Sequence, residues 1–152
     1  MWNDKYDAKS ITRDDIPKEI GLYAWFSKFN GELVYIGKAT GKGGLRRRIW
    51  SQHLNAKYLE SRTLKFSAKD NYQLCNPVLV NNKIVIDKSA FRKNVARYYS
   101  LKAGIESVEF IKEHFMIAFE SFEVSDKLKV VDLEKQLIQD LKPKFNISLL
   151  SN

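Results

Sequence analysis

The sequence predicts an α+β domain: a small antiparallel sheet of about three strands flanked by helices, with a helical and hairpin insertion in the middle. Two apolar, aromatic-rich runs, Ile20 to Lys28 and Leu33 to Gly37, are separated by Asn30-Gly31, the signature of a β-hairpin. Met116 to Val124 is a third strand-like run. Helix-patterned segments surround them. In chain order, Leu45 to about Leu59 reads as a basic helix after the loop Thr40-Gly41-Lys42-Gly43-Gly44. The pattern from Leu64 to Asp87 is weak, although Pro77 to Ile86 around Asn81-Asn82 fits a short hairpin. Ser89 caps a helix that runs through Lys102 and stops at Gly104. A second helix, Ile105 to His114, follows directly. Asp126 caps the last helix, which Pro143 ends after Leu141. No linker or repeat divides the chain, so residues 1–152 are expected to form one domain, the insertion lying at about 55–104.

Composition narrows the function classes. With 44% hydrophobic and 12% aromatic residues, and seven Gly and three Pro in 152 positions, the chain has the apolar surface to offset its conformational entropy. One cysteine and two histidines make neither an internal disulfide nor a structural zinc site, which suits a reducing, cytoplasmic setting. No apolar run approaches the roughly 20 residues that span a bilayer, and Met1 to Asp15 is mixed in charge, so no membrane partner is expected. The net charge of +8 is polarised. Lys38 to Lys65 holds eight Lys or Arg against Glu60 alone, and Lys83 to Lys102 holds six against Asp87, so the remainder is net acidic. A basic stripe of this kind is what a nucleic-acid binder carries; a solvated surface with surplus lysine carries it too.

Three features bear chemistry. Glu134 stands three residues after Val131, four before Ile138 and seven before Leu141, placing a carboxylate on or beside the apolar stripe of the last helix, where such a group neutralises, pairs with a cation or holds a metal. In the hairpin, a three-residue loop Phe29-Asn30-Gly31 with Gly31 left-handed would pair Lys28 with Glu32, Trp25 with Tyr35 and Tyr23 with Gly37. Both tyrosines then share one face. Lys38 ends the second strand and is followed by the glycine loop and Leu45-Arg46-Arg47-Arg48-Ile49, of which one arginine should point into a site while the others meet flanking phosphates or solvent. The loop lacks the Gly-Lys-Ser/Thr ending of a nucleotide-binding P-loop.

Gly21-Leu22-Tyr23, Tyr35-Ile36-Gly37-Lys38, Leu45-Arg46-Arg47-Arg48-Ile49, Leu133-Glu134 through Ile138, and Pro143 with Asn146 together resemble the GIY-YIG nuclease family, in order, over about Ile20 to Ile147. The resemblance implies a three-stranded sheet between helices and DNA cleavage with Mg2+ (or Mn2+). Tyr23 would be the base or water-orienting group, Tyr35 its companion, Lys38 an adjacent cation, Arg48 the catalytic arginine and Glu134 the metal-ligating carboxylate. Lys42, Arg46, Arg47, His53, Arg92, Lys93 and Asn146 are the candidate contacts to the DNA backbone. Two departures stand out: Leu22 replaces an isoleucine, and the histidine often found four residues after the arginine is here Gln52, with His53 one later. On a regular helix that offset is a rotation of about 100° away from the site. Ser89-Ala90-Phe91-Arg92-Lys93 resembles a basic insertion of some family members.

The implied reaction is hydrolysis of a phosphodiester to 5′-phosphate and 3′-hydroxyl ends, with Lys38 and the metal favouring the Tyr23 phenolate. A catalytically inactive nucleic-acid-binding module, and a protein whose basic face meets acidic partners, are the competing readings. One site cuts one strand per event, so double-strand cleavage calls for a homodimer, a second encounter or successive nicks.

Overall fold

The structure, a computed structural model, describes residues 1–62 and 66–146; Leu64, Lys65 and Ile147, which bound stretches named above, lie outside the described residues. The architecture is α+β. A short strand, β1 (Tyr6–Asp7), precedes the hairpin of β2 (Ile20–Ser27) and β3 (Leu33–Ala39). Helix α1 (Gly44–Arg46) continues as a π-helix over Arg47–His53. The insertion carries β4 (Leu59–Arg62), β5 (Leu79–Val80) and β6 (Lys83–Asp87), then α2 (Ala90–Tyr99). Helix α3 (Ile105–His114), strand β7 (Phe115–Phe122) and helix α4 (Lys127–Leu141) complete the chain before a 3-10 turn at Lys144–Asn146.

The main sheet has the antiparallel order β1-β7-β2-β3, so the expected three strands gain β1 at one edge. Alternation along β2 gives each face its own partner. Leu22, Ala24 and Phe26, with Ile36 of β3, lie against Val130, Leu133, Leu137 and Ile138 of α4. Tyr23 and Trp25 face the other way, onto Leu45, Ile49, Phe91, Val95, Ile111 and Phe145. Phe91 of the insertion stacks on Trp25 at 4.7 Å between ring centroids and an interplanar angle of 11°. The insertion's own sheet is ordered β4-β6-β5, and its hairpin turns at Asn81 and Asn82, both at positive φ (52° and 64°) as a type I′ turn requires.

Several expected boundaries are corrected. The basic helix ends at His53, six residues early, and Leu59 opens a strand. Helix α2 stops at Tyr99, where Ser100 takes a left-handed φ of 54°. On α4 the buried stripe is Val130, Leu133, Leu137 and Ile138, while Leu141 is 53% exposed.

The hairpin register agrees where it matters and differs in how it gets there. Tyr23 does face Gly37 and Trp25 does face Tyr35, but Phe26 faces Leu33, leaving Val34 as an extra bulged residue. Beyond the bulge Ser27 N–H donates to the Glu32 carbonyl at 2.8 Å, and the loop is Lys28 to Gly31, with Gly31 at φ 73°. A four-residue loop alone would put the tyrosines on opposite faces. The bulge restores the parity. Lys28 accordingly pairs with Asp7 at 2.5 Å rather than with Glu32.

Candidate active site

Tyr23 lies across the backbone of its strand neighbour. A Cβ at Gly37 would come within 2.3 Å of the Tyr23 ring carbon Cζ and of its hydroxyl, so only glycine leaves room for the ring. Tyr23 is 2% exposed, and its ring centroid is 6.3 Å from that of Tyr35. The two phenols are thus fixed by strand pairing and one missing side chain.

The start of α1 is docked just as closely. Gly44 sits at φ 54°, and a Cβ there would meet the carbonyls of Lys18 and Glu19 at 2.2 Å, while Leu45 N–H and Arg46 N–H donate to Glu19 and Pro17 carbonyls at 2.9 Å each. From this anchored start the helix widens. Leu54 N–H donates to the Ile49 carbonyl five residues back, and such a π-turn closes its circuit in one residue more than an α-turn does. That extra residue returns His53 to the position from which regular helical geometry would have rotated it. His53 is 1% exposed; its Nε2 lies 2.6 Å from the Tyr23 hydroxyl and its Nδ1 is hydrogen-bonded to Ser89 Oγ. His53 is therefore not a surface contact for a DNA backbone but a buried partner of Tyr23, corrected by the π-turn.

Arg48 is exposed, and its charge reaches inward: it lowers both phenols, while the Glu134 carboxylate raises both. Burial is the larger influence. It holds the Tyr23 phenol well above 10 and pushes Tyr35 up to about 12. The cation that opposes this is Arg48, not Lys38 as the sequence suggested. Lys38 Nζ instead bonds Glu134 Oε1 at 3.1 Å, with the carboxylate side chain 16% exposed. Glu134 is thus paired with a lysine, one of the fates the sequence left open, and lies within electrostatic reach of the phenols. Ala39 at the end of β3, with Gly41, Lys42, Gly44, Arg47, Arg48 and Gln52, lines a cleft of about 130 Å³.

No family model matches the chain, and no curated protein matches it. The reading of the site rests on its chemistry. Among the described residues no three of His, Cys, Asp and Glu cluster as metal ligands. Glu134 alone suits a hard cation such as Mg2+, which keeps several waters and takes one or two carboxylates together with substrate phosphate oxygens. A single carboxylate of this kind would suit magnesium rather than zinc.

The remaining candidates divide by what already holds them. Lys42 and Arg47 are exposed at the cleft, Arg47 Nη1 reaching the Lys42 carbonyl at 3.5 Å, and Arg46 Nε donates to the Ile16 carbonyl at 2.8 Å. Arg92 is corrected outright: it is fully buried, bonded to Asp87 and to backbone carbonyls. Lys93 pairs with Glu60 at 3.2 Å. Asn146 accepts from Ile36 N–H and donates to the Ile36 carbonyl, both at 2.8 Å, so its amide ties the final turn to β3. Arg97 is held by the buried Asp70, so three of the six cations in the second basic stretch, Arg92, Lys93 and Arg97, are engaged in ion pairs, while Lys83, Lys88 and Lys102 are exposed. Sequence reading missed Ser89 as a site residue because its capping role already accounted for it.

Burial, reinforced by Arg48 and Arg92, holds His53 well below 6.5, so its ring is neutral in the folded chain. The unfolded chain gains a proton there as pH falls through about 6.5 and the folded chain does not. Stability contributed by this site is therefore present above that pH and is expected to be lost progressively as the pH falls below about 6.5. Urea unfolding at stepped pH measures this, and the loss should flatten in His53→Phe. An unchanged slope in that variant would contradict the assignment.

Proposed function

We propose that this chain is a magnesium-dependent DNA endonuclease of the GIY-YIG type, hydrolysing a phosphodiester to 5′-phosphate and 3′-hydroxyl ends. The observation that carries the proposal is the gathering of Tyr23, Tyr35, Arg48 and Glu134 into one electrostatic unit beside a basic glycine-loop cleft. Each member has a task. Lys42 and Arg47 hold flanking phosphates at the cleft, and the exposed Arg48 guanidinium binds the oxygens of the scissile phosphoryl group, where negative charge grows in the transition state. Tyr23 orients the attacking water and receives its proton; with its phenol held up by burial, it needs the nearby positive charge to act near neutral pH. Glu134 would hold the cation, which when bound polarises the phosphoryl oxygens and stabilises the departing 3′ oxygen.

Supercoiled plasmid incubated with the protein and magnesium is expected to be nicked, and chelation is expected to stop it. Arg48→Ala should lower the rate by about 10²–10³-fold, the usual loss for one preorganised transition-state donor. Binding that weakens steeply with salt but never leads to a nick would instead identify the inactive binding module.

A further inference from the structure

The hydrogen-bond inventory around His53 is tight enough to decide which ring nitrogen carries the proton. Ser89 is 3% exposed and caps α2, its Oγ accepting the Arg92 backbone N–H at 3.3 Å. The same Oγ meets His53 Nδ1, and among the described residues that nitrogen is the one acceptor within reach of the Ser89 hydroxyl proton. Two arrangements satisfy the imidazole. If Nδ1 bears the proton, it donates to an oxygen that already accepts from Arg92, and the buried Ser89 O–H is left without a partner, which is costly. If Nε2 bears it, Ser89 O–H donates to Nδ1, Arg92 N–H donates to Ser89, and Nε2–H donates to the Tyr23 oxygen. The Tyr23 O–H, no longer facing an acceptor on the ring, turns to the neighbouring Tyr35 hydroxyl, so no buried donor is left over.

We infer that Ser89 is a positioning residue that fixes His53 as the Nε2–H tautomer, so that the imidazole donates to the Tyr23 oxygen instead of accepting its proton. The inference deepens, and rests on, the reading of Tyr23 as the water-facing base. Its mechanistic content is a direction. A donor aimed at the phenol oxygen stabilises the phenolate, and the Tyr23 proton passes to bulk water by way of the half-buried Tyr35 hydroxyl rather than to His53. Phe91, two residues after Ser89, stands at 5.9 Å and 89° to the imidazole, so the turn that sets the tautomer also braces the ring. The insertion thereby reaches the chemistry through one hydroxyl.

Nitrogen-15 NMR of the histidine rings in the full-length protein tests this without requiring turnover. Wild type is expected to show His53 protonated at Nε2, with an unprotonated, hydrogen-bond-accepting Nδ1. Ser89→Thr, which keeps the hydroxyl, should give the same pattern. Ser89→Ala should shift the proton toward Nδ1 and lower kcat about tenfold with KM for DNA unchanged, the loss of one hydrogen bond to the developing charge. Wild type protonated at Nδ1, or a tautomer indifferent to Ser89→Ala, overturns the inference. Should Ser89→Ala fail to fold, the wild-type and Ser89→Thr spectra still decide it. A wild type that never nicks DNA yet shows the Nε2 proton would refute the nuclease reading and leave the tautomer assignment standing.

Discussion

Glu134→Gln is expected to lower the rate of magnesium-dependent plasmid nicking by about 10³-fold while leaving the protein folded. A cation that polarises a phosphoryl oxygen contributes several kcal/mol, and a loss of about 4 kcal/mol is roughly a thousandfold in rate. Among the described residues Glu134 belongs to no cluster of three His, Cys, Asp or Glu side chains that could hold the cation without it. The fold should tolerate the change, because the substitution is isosteric and the ion pair it breaks is with Lys38, whose side chain is 39% exposed; such pairs contribute about 0–1 kcal/mol. A second consequence separates a site residue from a bystander. Glu134 is one of the charges that raise Tyr23 and Tyr35, so neutralising it should lower both phenols, visible as an earlier onset of tyrosine ionisation in an alkaline ultraviolet titration. Full nicking by Glu134→Gln with magnesium would remove Glu134 from the site.

The parts of this site that the sequence reveals are those governed by local rules. Asn30-Gly31 announces the hairpin with Gly31 left-handed, and Asn81-Asn82 announces its turn. Helical spacing brings Glu134 to the edge of a buried stripe. What stays hidden depends on departures from regular geometry. Val34 looks like any strand valine, yet as a bulge it corrects the parity that a four-residue loop would spoil. His53 is misplaced by assuming a uniform helical period through Arg48, since nothing in Arg47-Arg48-Ile49-Trp50-Ser51-Gln52-His53 announces a π-turn. Asn146 keeps its end-of-helix position but bonds backbone, a tertiary match no sequence spacing encodes.

Arg92 is the sharpest case, because a basic residue in a basic run reads as surface and here is the hub beneath the site. Its Nε and Nη2 donate to Asp87 Oδ1 at 3.0 and 2.6 Å, Nη1 donates to the carbonyls of Gln52 and Asn55 at 2.9 and 2.5 Å, and Nη2 also reaches the Tyr58 carbonyl at 3.0 Å. Those carbonyls belong to the end of the π-turn and the segment leaving it, where a helix has orphan acceptors. Arg92→Ala strips the partner from a buried carboxylate and from these carbonyls together. Removing one member of a buried ion pair costs about 3–5 kcal/mol, so urea unfolding should show a loss of that size. The double variant Arg92→Met with Asp87→Leu separates the two contributions. If Arg92 served Asp87 alone, replacing both with apolar residues would restore the stability except for the hydrogen bonds that Asp87 Oδ1 also accepts from Gly104 N–H and the Ser107 hydroxyl, about 1 kcal/mol each, and would leave nicking at the wild-type rate. Because it also holds the carbonyls that end the π-turn, the double variant is expected to recover less than this and to nick DNA more slowly than wild type, His53 having lost the turn that seats it. Recovery to that level with wild-type nicking would show that the π-turn stands without Arg92.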